Sequence, residues 1–221
     1  MPKSVLASPF FITFGKDLEC SDMKKVYVVL AEGFELMEAT TPIDVLKRCG
    51  AEVITVAAQR VSPKKEEEGK KTLNNLWVTA SNGVKIEADI EIAELQELRN
   101  ALADMVIFPG GYPGYENLGK SNCVKALLKK HELEHRYIAA ICGAPAALAA
   151  HNIAKGSKIT CHSSVKEIVC GEYNCTENPT EIDGKLITGK GAGRSLEFAF
   201  TCAEVLYPKE KIAEVKKKME L

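Results

Sequence analysis

The chain has 221 residues, of which 46% are hydrophobic and 27% charged, and its net charge is -1. That balance describes a globular chain long enough to bury a sizeable core. It gives no electrostatic case for nucleic acid or an anionic membrane, and no apolar run reaches the ~20 residues that span a bilayer.

Residues 1–22 do not fit the pattern that follows and read as a poorly ordered N-terminal extension. A single domain is expected over 23–221. Val26 to Ala31 is an uninterrupted apolar run, the mark of a strand buried on both faces. A loop, Glu32 to Glu35, leads into a helix over 36–48 that contains Pro42 and is capped by Gly50. Val53 to Ala57 is a second strand. The charge run Lys64 to Lys71 reads as a solvated loop. Ser81, Asn82 and Gly83 form a hairpin signal between two short strands in Trp77 to Ile86. A helix is predicted over 92–102, and Met105 to Phe108 is a third buried strand that ends at Pro109, Gly110 and Gly111.

Ser121 is placed to cap a helix over 122–134, with Val124, Leu127 and Leu128 on one face. Tyr137 to Ala150 then carries the strongest signal. A short apolar strand runs into Cys142 and turns at once into an Ala-rich helix with Pro145 in its first turn. Such a turn is a nucleophile elbow. A thiol at a helix N-terminus should titrate below its usual value of about 8.5. Lys158 to His162 and Leu186 to Thr188 read as further strands. Ser195 is placed to cap an apolar helix through Leu206, which Pro208 closes. Strands alternating with helices predict a mostly parallel sheet covered on both faces.

Active sites in such sheets gather beyond the C-terminal strand ends. Glu35, Glu38, Gly110, Gly111, Cys142 and His162 all fall there. A thiolate that attacks a carbonyl needs donors for the oxyanion, and the backbone N–H groups of Gly111 and Gly143 are the natural pair. Glu38 is the candidate proton shuttle beside the sulfur, and His162 a second acid or base.

Eight cysteines in a chain of this size, without a convincing signal peptide, read as reduced thiols in a cytoplasmic protein. His131 to His135 matches a zinc-protease pattern but ends a polar helix. Cys161, His162, Cys170 and Cys175 lack zinc-ribbon spacing. Neither is taken as a metal site, so no metal and no cofactor is expected.

In this order, Ala31 to Glu38, Phe108 to Gly111, Ala139 to Pro145, Thr160 to His162 and Gly189 to Phe198 make the chain similar to one family. It resembles the DJ family, the parkinsonism-associated deglycase branch of the ThiJ/PfpI superfamily, from about Met23 to the C-terminus. The resemblance implies a flavodoxin-like α/β three-layer sandwich and a homodimer. It also implies that Cys142 is the reactive cysteine, that Glu38 contacts its sulfur, that His162 lies nearby and that Gly111 and Gly143 supply the donors. The activity it implies is cofactor-free glyoxalase and deglycase chemistry on small aldehydes such as methylglyoxal, with an oxidation-sensitive cysteine. The alternative is a redox sensor or chaperone that turns nothing over. A cysteine peptidase is less favoured, because peptidase-like relatives carry a histidine where Gly143 stands. A glutamine amidotransferase would need a C-terminal H-x-E partner, which is missing.

The chain departs from the family pattern in several places. Gly143 stands where alanine is usual, a change expected to be mild. Lys190 replaces a frequent arginine, the loop from Gln59 to Asn82 is longer than usual, and Glu87 stands where some members have a peripheral cysteine.

Overall fold

A computed structural model describes residues 23–58, 76–97 and 102–221. The N-terminal extension and the greater part of the long loop lie outside the described residues.

The chain opens with β1 (Lys25–Leu30), α1 (Leu36–Cys49) and β2 (Glu52–Ala57). The helix runs through Pro42 and ends at Gly50, whose φ of 98° is the left-handed geometry that favours glycine. The hairpin at Ser81 to Gly83 joins β3 (Trp77–Thr79) to β4 (Lys85–Glu87), which pair antiparallel. Next come β5 (Ile90–Glu91), α2 (Ile92–Glu97) and β6 (Met105–Phe108). The rest of the helix predicted over 92–102 reaches residues outside the described set.

Two helices follow, α3 (Gly114–Lys120) and α4 (Asn122–Leu133), and the Ser121 side chain accepts from the Val124 N–H as the cap of α4. β7 (Tyr137–Ile141) leads into α5 (Pro145–Ala150). The remainder comprises β8 (Lys158–Ile159), α6 (Lys166–Val169), β9 (Asn174–Cys175), β10 (Thr180–Asp183), β11 (Leu186–Gly189), α7 (Ser195–Glu204) and α8 (Lys209–Lys218).

The central sheet has the order β10-β11-β7-β6-β1-β2-β5. All its pairings are parallel except β10 with β11 at one edge. Side chains alternate across it with the strand period. Tyr27, Val29, Val106, Phe108, Ile138 and Ala140 join the core shared with α4 and α5. Val26, Val28, Leu30, Met105, Ile107, Ala139 and Ile141 join the opposite core, shared with α1, α7 and α8. The result is three layers with a covered parallel sheet, as the uninterrupted apolar strands imply. Full burial of side chains such as Phe34, Phe108 and Phe198 stabilises the layers by about 1.5–3 kcal/mol each.

Two local expectations are corrected, and several short elements are new. Ser195 is the first helical residue rather than the cap, and its hydroxyl donates to the Ala192 carbonyl at 2.8 Å. α3, β5, α6, β9, β10 and α8 are not read from the sequence, because they are short or too charged to show a buried face. The thiols are not all reduced, since Cys170 and Cys175 form a disulfide. The two lie five positions apart, and the chain between α6 and β9 brings one to the other, a proximity no composition argument contains.

Candidate active site

The strand order reverses direction of growth at β1 and β6, which lie side by side. A cleft opens beyond the strand ends at such a point. The loop after β6 packs backbone to backbone on the loop after β1. The Glu35 N–H donates to the Gly110 carbonyl at 2.9 Å, and from α3 the Asn117 side-chain amide donates to the Glu32 carbonyl at 2.8 Å. Gly111 has a φ of 89°, and a Cβ there would fall 2.5 Å from the Gly33 carbonyl oxygen. Only glycine therefore lets the two loops close on each other.

Cys142 sits at the end of β7 with φ at 64°, the left-handed region. A non-glycine residue pays ~1–3 kcal/mol to hold it, which is the signature of an elbow. The bend is clamped from two sides. The Cys142 N–H donates to the Gly189 carbonyl at 2.8 Å, and its own carbonyl accepts from the His162 N–H at 2.9 Å. The side chain is left half-buried.

Glu38 occupies the first turn of α1 and is fully buried. Its Oε2 accepts from the Gly110 N–H at 2.8 Å, whereas its Oε1 has no ordinary hydrogen-bond partner. The carboxyl is in contact with the Cys142 thiol. Burial is the main cause that pushes Glu38 up to about 7, against the pull of the thiol and the Gly110 N–H. The Cys142 thiol is in turn pushed up to about 12, first by burial and then by the Glu38 charge. The N–H groups of Gly111 and Gly143 both reach the sulfur and pull the other way.

The sign for Cys142 is opposite to the sequence expectation. α5 is only six residues long, so its dipole is weak beside the cost of burying an anion next to a carboxylate. Above pH 7 the pair holds one proton, on the thiol, with the carboxylate ionised beside it. The arrangement thus sets a proton acceptor against the thiol.

The structure brings Cys142, Glu38, Gly111 and Gly143 to one place. His162 arrives there by its backbone. Its ring is exposed, and Nδ1 accepts from the Ser164 N–H at 3.2 Å. That bond leaves the proton of the neutral imidazole on Nε2. Of the motifs set aside, His131 is buried and bonded to the Leu127 carbonyl, whereas His135 lies beyond the end of α4 with φ at 50°. The two do not form a ligand pair.

Gly110 stands where the sequence reading put it but has a role that reading did not give it, and Tyr115 escaped it. A Cβ on Gly110 would lie 2.8 Å from Cys142 Cβ, 2.8 Å from the Gly143 nitrogen and 2.9 Å from Glu38 Oε2. Gly110 is therefore the spacer that lets the carboxyl approach the elbow. Tyr115 of α3 fills the space over Gly143, where a Cβ would fall 2.5 Å from ring atom Cδ1. The expectation of a mild glycine-for-alanine change did not include this ring. Gly143→Ala should therefore lower stability by about 1–3 kcal/mol through overpacking. Gly143→Ala combined with Tyr115→Ala should recover most of the loss attributable to the clash. A thermal double-mutant cycle checks this, and additive losses would show that the ring and the new methyl do not meet.

Comparison with known proteins agrees with this architecture. The family model described as "DJ-1/PfpI family" matches residues 24–205. The chain is 35% identical to Protein DJ-1 homolog B of Arabidopsis thaliana over 88% of its own length, but spans only 41% of that relative. It is 32% identical to Glutathione-independent glyoxalase DJR-1.2 of Caenorhabditis elegans, over 81% of this chain and 87% of the relative. The crystal structure of Drosophila melanogaster DJ-1beta superposes with a TM-score of 0.79 at 34% identity, covering 90% of this chain and 98% of the other.

Proposed function

The chain belongs to the DJ-1/PfpI family, and from that premise we propose that it is a cofactor-independent cysteine enzyme that converts methylglyoxal to lactate. The observation that carries the reading is the buried Glu38 carboxyl, held near neutrality against a thiol on a left-handed elbow. A relative named as a glutathione-independent glyoxalase supports the same chemistry.

In the proposed cycle the Cys142 sulfur attacks the aldehyde carbon while Glu38 takes the thiol proton. The N–H groups of Gly111 and Gly143 stabilise the alkoxide, which Glu38 then protonates to give a hemithioacetal. The carboxylate next removes the proton on the former aldehyde carbon and returns it to the neighbouring carbon, leaving a thioester of lactate. Water hydrolyses that thioester and restores the thiol. Removal of sugar-type adducts from proteins is the related deglycase step and uses the same hemithioacetal chemistry. The exposed His162 ring is the second acid or base of this reading. The resemblance also carries a homodimer into the proposal, and the cytoplasmic setting comes from the cysteine content, with the Cys170–Cys175 disulfide as its exception.

Turnover requires ionised Glu38, so kcat/KM for methylglyoxal should fall as pH drops through about 7. A profile measured from pH 5 to 9, with lactate identified by NMR, tests the assignment. Lactate formation that does not change between pH 6 and 8 would remove Glu38 as the base, and no lactate at all would remove the enzyme reading. A second reading is a redox sensor, favoured by the two N–H groups that reach the sulfur. Those donors would hold a Cys142 sulfinate formed by peroxide.

A further inference from the structure

Cys161, Cys170 and Cys175 take no part in the chemistry above, yet the fold gathers them. Their three sulfur atoms lie within 4.8 Å of one another. Cys170 and Cys175 share the disulfide, and Cys161 keeps a free thiol beside it. Three elements deliver these residues. Cys161 follows β8, Cys170 ends α6 and Cys175 lies on β9 opposite Ile159.

The arrangement does not rest on the disulfide alone. The Asn174 N–H donates to the Ser157 carbonyl at 2.9 Å and the Thr176 N–H to the Ile159 carbonyl at 2.8 Å. The Tyr173 hydroxyl donates to the Ile153 carbonyl from the core. Cys161 is buried, Cys175 is partly buried and Cys170 is exposed. A reductant therefore reaches the disulfide from solvent, while the third sulfur stays fixed inside.

We propose that reduction of the Cys170–Cys175 bond opens a site in which Cys161, Cys170 and Cys175 together bind one monovalent copper ion. Two electrons and two protons from a thiol or phosphine reductant convert the disulfide into two thiols. The ion then forms three sulfur–metal bonds, three protons leave, and the copper keeps its oxidation state. Thiolates select soft ions of this kind.

Metal–thiolate bonds of about 2.3 Å place three coplanar sulfurs about 4 Å apart. That separation is inside the present 4.8 Å spread, so the main movement required is that of the former disulfide partners away from each other. No imidazole or carboxylate joins the three sulfurs among the described residues. The donor set thus suits a three-coordinate ion better than tetrahedral zinc. Lys166 and Lys190 both act on Cys161 electrostatically, with Glu177 opposing them. Two ammonium groups against one carboxylate favour an anionic trithiolate centre.

The site stands on its own residues, and its failure would leave the glyoxalase reading intact. The test uses the full chain carrying Cys142→Ser, which removes the elbow thiol as a competing ligand. The protein is reduced with a phosphine under anaerobic conditions, freed of it, and titrated with monovalent copper against a chromophoric copper chelator. One tight equivalent is expected. Affinity for it should drop more than ~100-fold in Cys161→Ala and in Cys170→Ser, since changes outside the ligand sphere already reach that size. Protein that retains the disulfide should lack the tight equivalent. Cys170→Ser alters an exposed position and keeps the test decisive if Cys161→Ala unfolds. Equal binding by the reduced parent and the folded variants, equal binding by the disulfide form, or displacement of copper by an equivalent of zinc would each overturn the proposal.

Discussion

Glu38→Gln should lower methylglyoxal turnover by about 10²–10⁴-fold, the range general-base catalysis contributes, while making Cys142 a stronger acid. The two effects have one origin. The Glu38 charge and its contact with the thiol both raise the thiol pKa, and the neutral amide removes that charge. The amide oxygen still accepts from the Gly110 N–H in place of Oε2, so the geometry survives. What is lost is the acceptor for the thiol proton. Cys142→Ser should remove conversion altogether, because a hydroxyl is a far weaker nucleophile at neutral pH. Iodoacetamide kinetics against pH on Glu38→Gln, with lactate production measured in parallel, separates reactivity from turnover. A variant that keeps parental turnover would end the role assigned to Glu38.

The same substitution has a signed effect on stability. Folded Glu38 titrates near 7 and the unfolded group near 4.5. Between those values the native state binds the extra proton, so its stability falls as pH rises through the window. Ionised Glu38 thus costs the fold roughly 3 kcal/mol above pH 7 relative to pH 4. Glu38→Gln is free of that cost, and its thermal midpoint should exceed the parent's by more at pH 8 than at pH 5.

Gly110→Ala is expected to damage both fold and site. The added methyl would meet Cys142 Cβ, the Gly143 nitrogen and Glu38 Oε2, all within 2.9 Å. Two of these belong to the elbow and the third to the buried carboxyl, so no flexible side-chain end is available to yield. Overpacking of this kind costs about 1–3 kcal/mol, or roughly 2–4 °C of thermal midpoint per kcal/mol in a chain of this size. Displacing the carboxyl from the sulfur by about 1 Å should reduce turnover on the order of 10²-fold. Thermal denaturation and the lactate assay on the purified variant check both. Parental activity in Gly110→Ala would show that the carboxyl–sulfur spacing is not critical.

Much of this protein is legible without coordinates. Uninterrupted apolar runs such as Val26 to Leu30 and Met105 to Phe108 specify buried parallel strands, because a strand covered on both faces has no place for polar side chains. The strand-to-helix step at Cys142 and the position of Glu38 after β1 are local patterns, and they locate the site at the strand ends. Tertiary structure alone decided the rest. Nothing adjacent in sequence announces that Tyr115 of α3 covers Gly143, or that Gly110 separates Glu38 from Cys142. The shifts of Glu38 and Cys142 follow from burial and mutual charge, which exist only once the chain has closed. The same holds for Cys161, Cys170 and Cys175. Their spacing matches no metal motif, yet β8 pairs with β9 and brings their sulfurs together. Local patterns determine which elements form, whereas contacts between elements set distance, charge and solvent access, and those quantities govern reactivity.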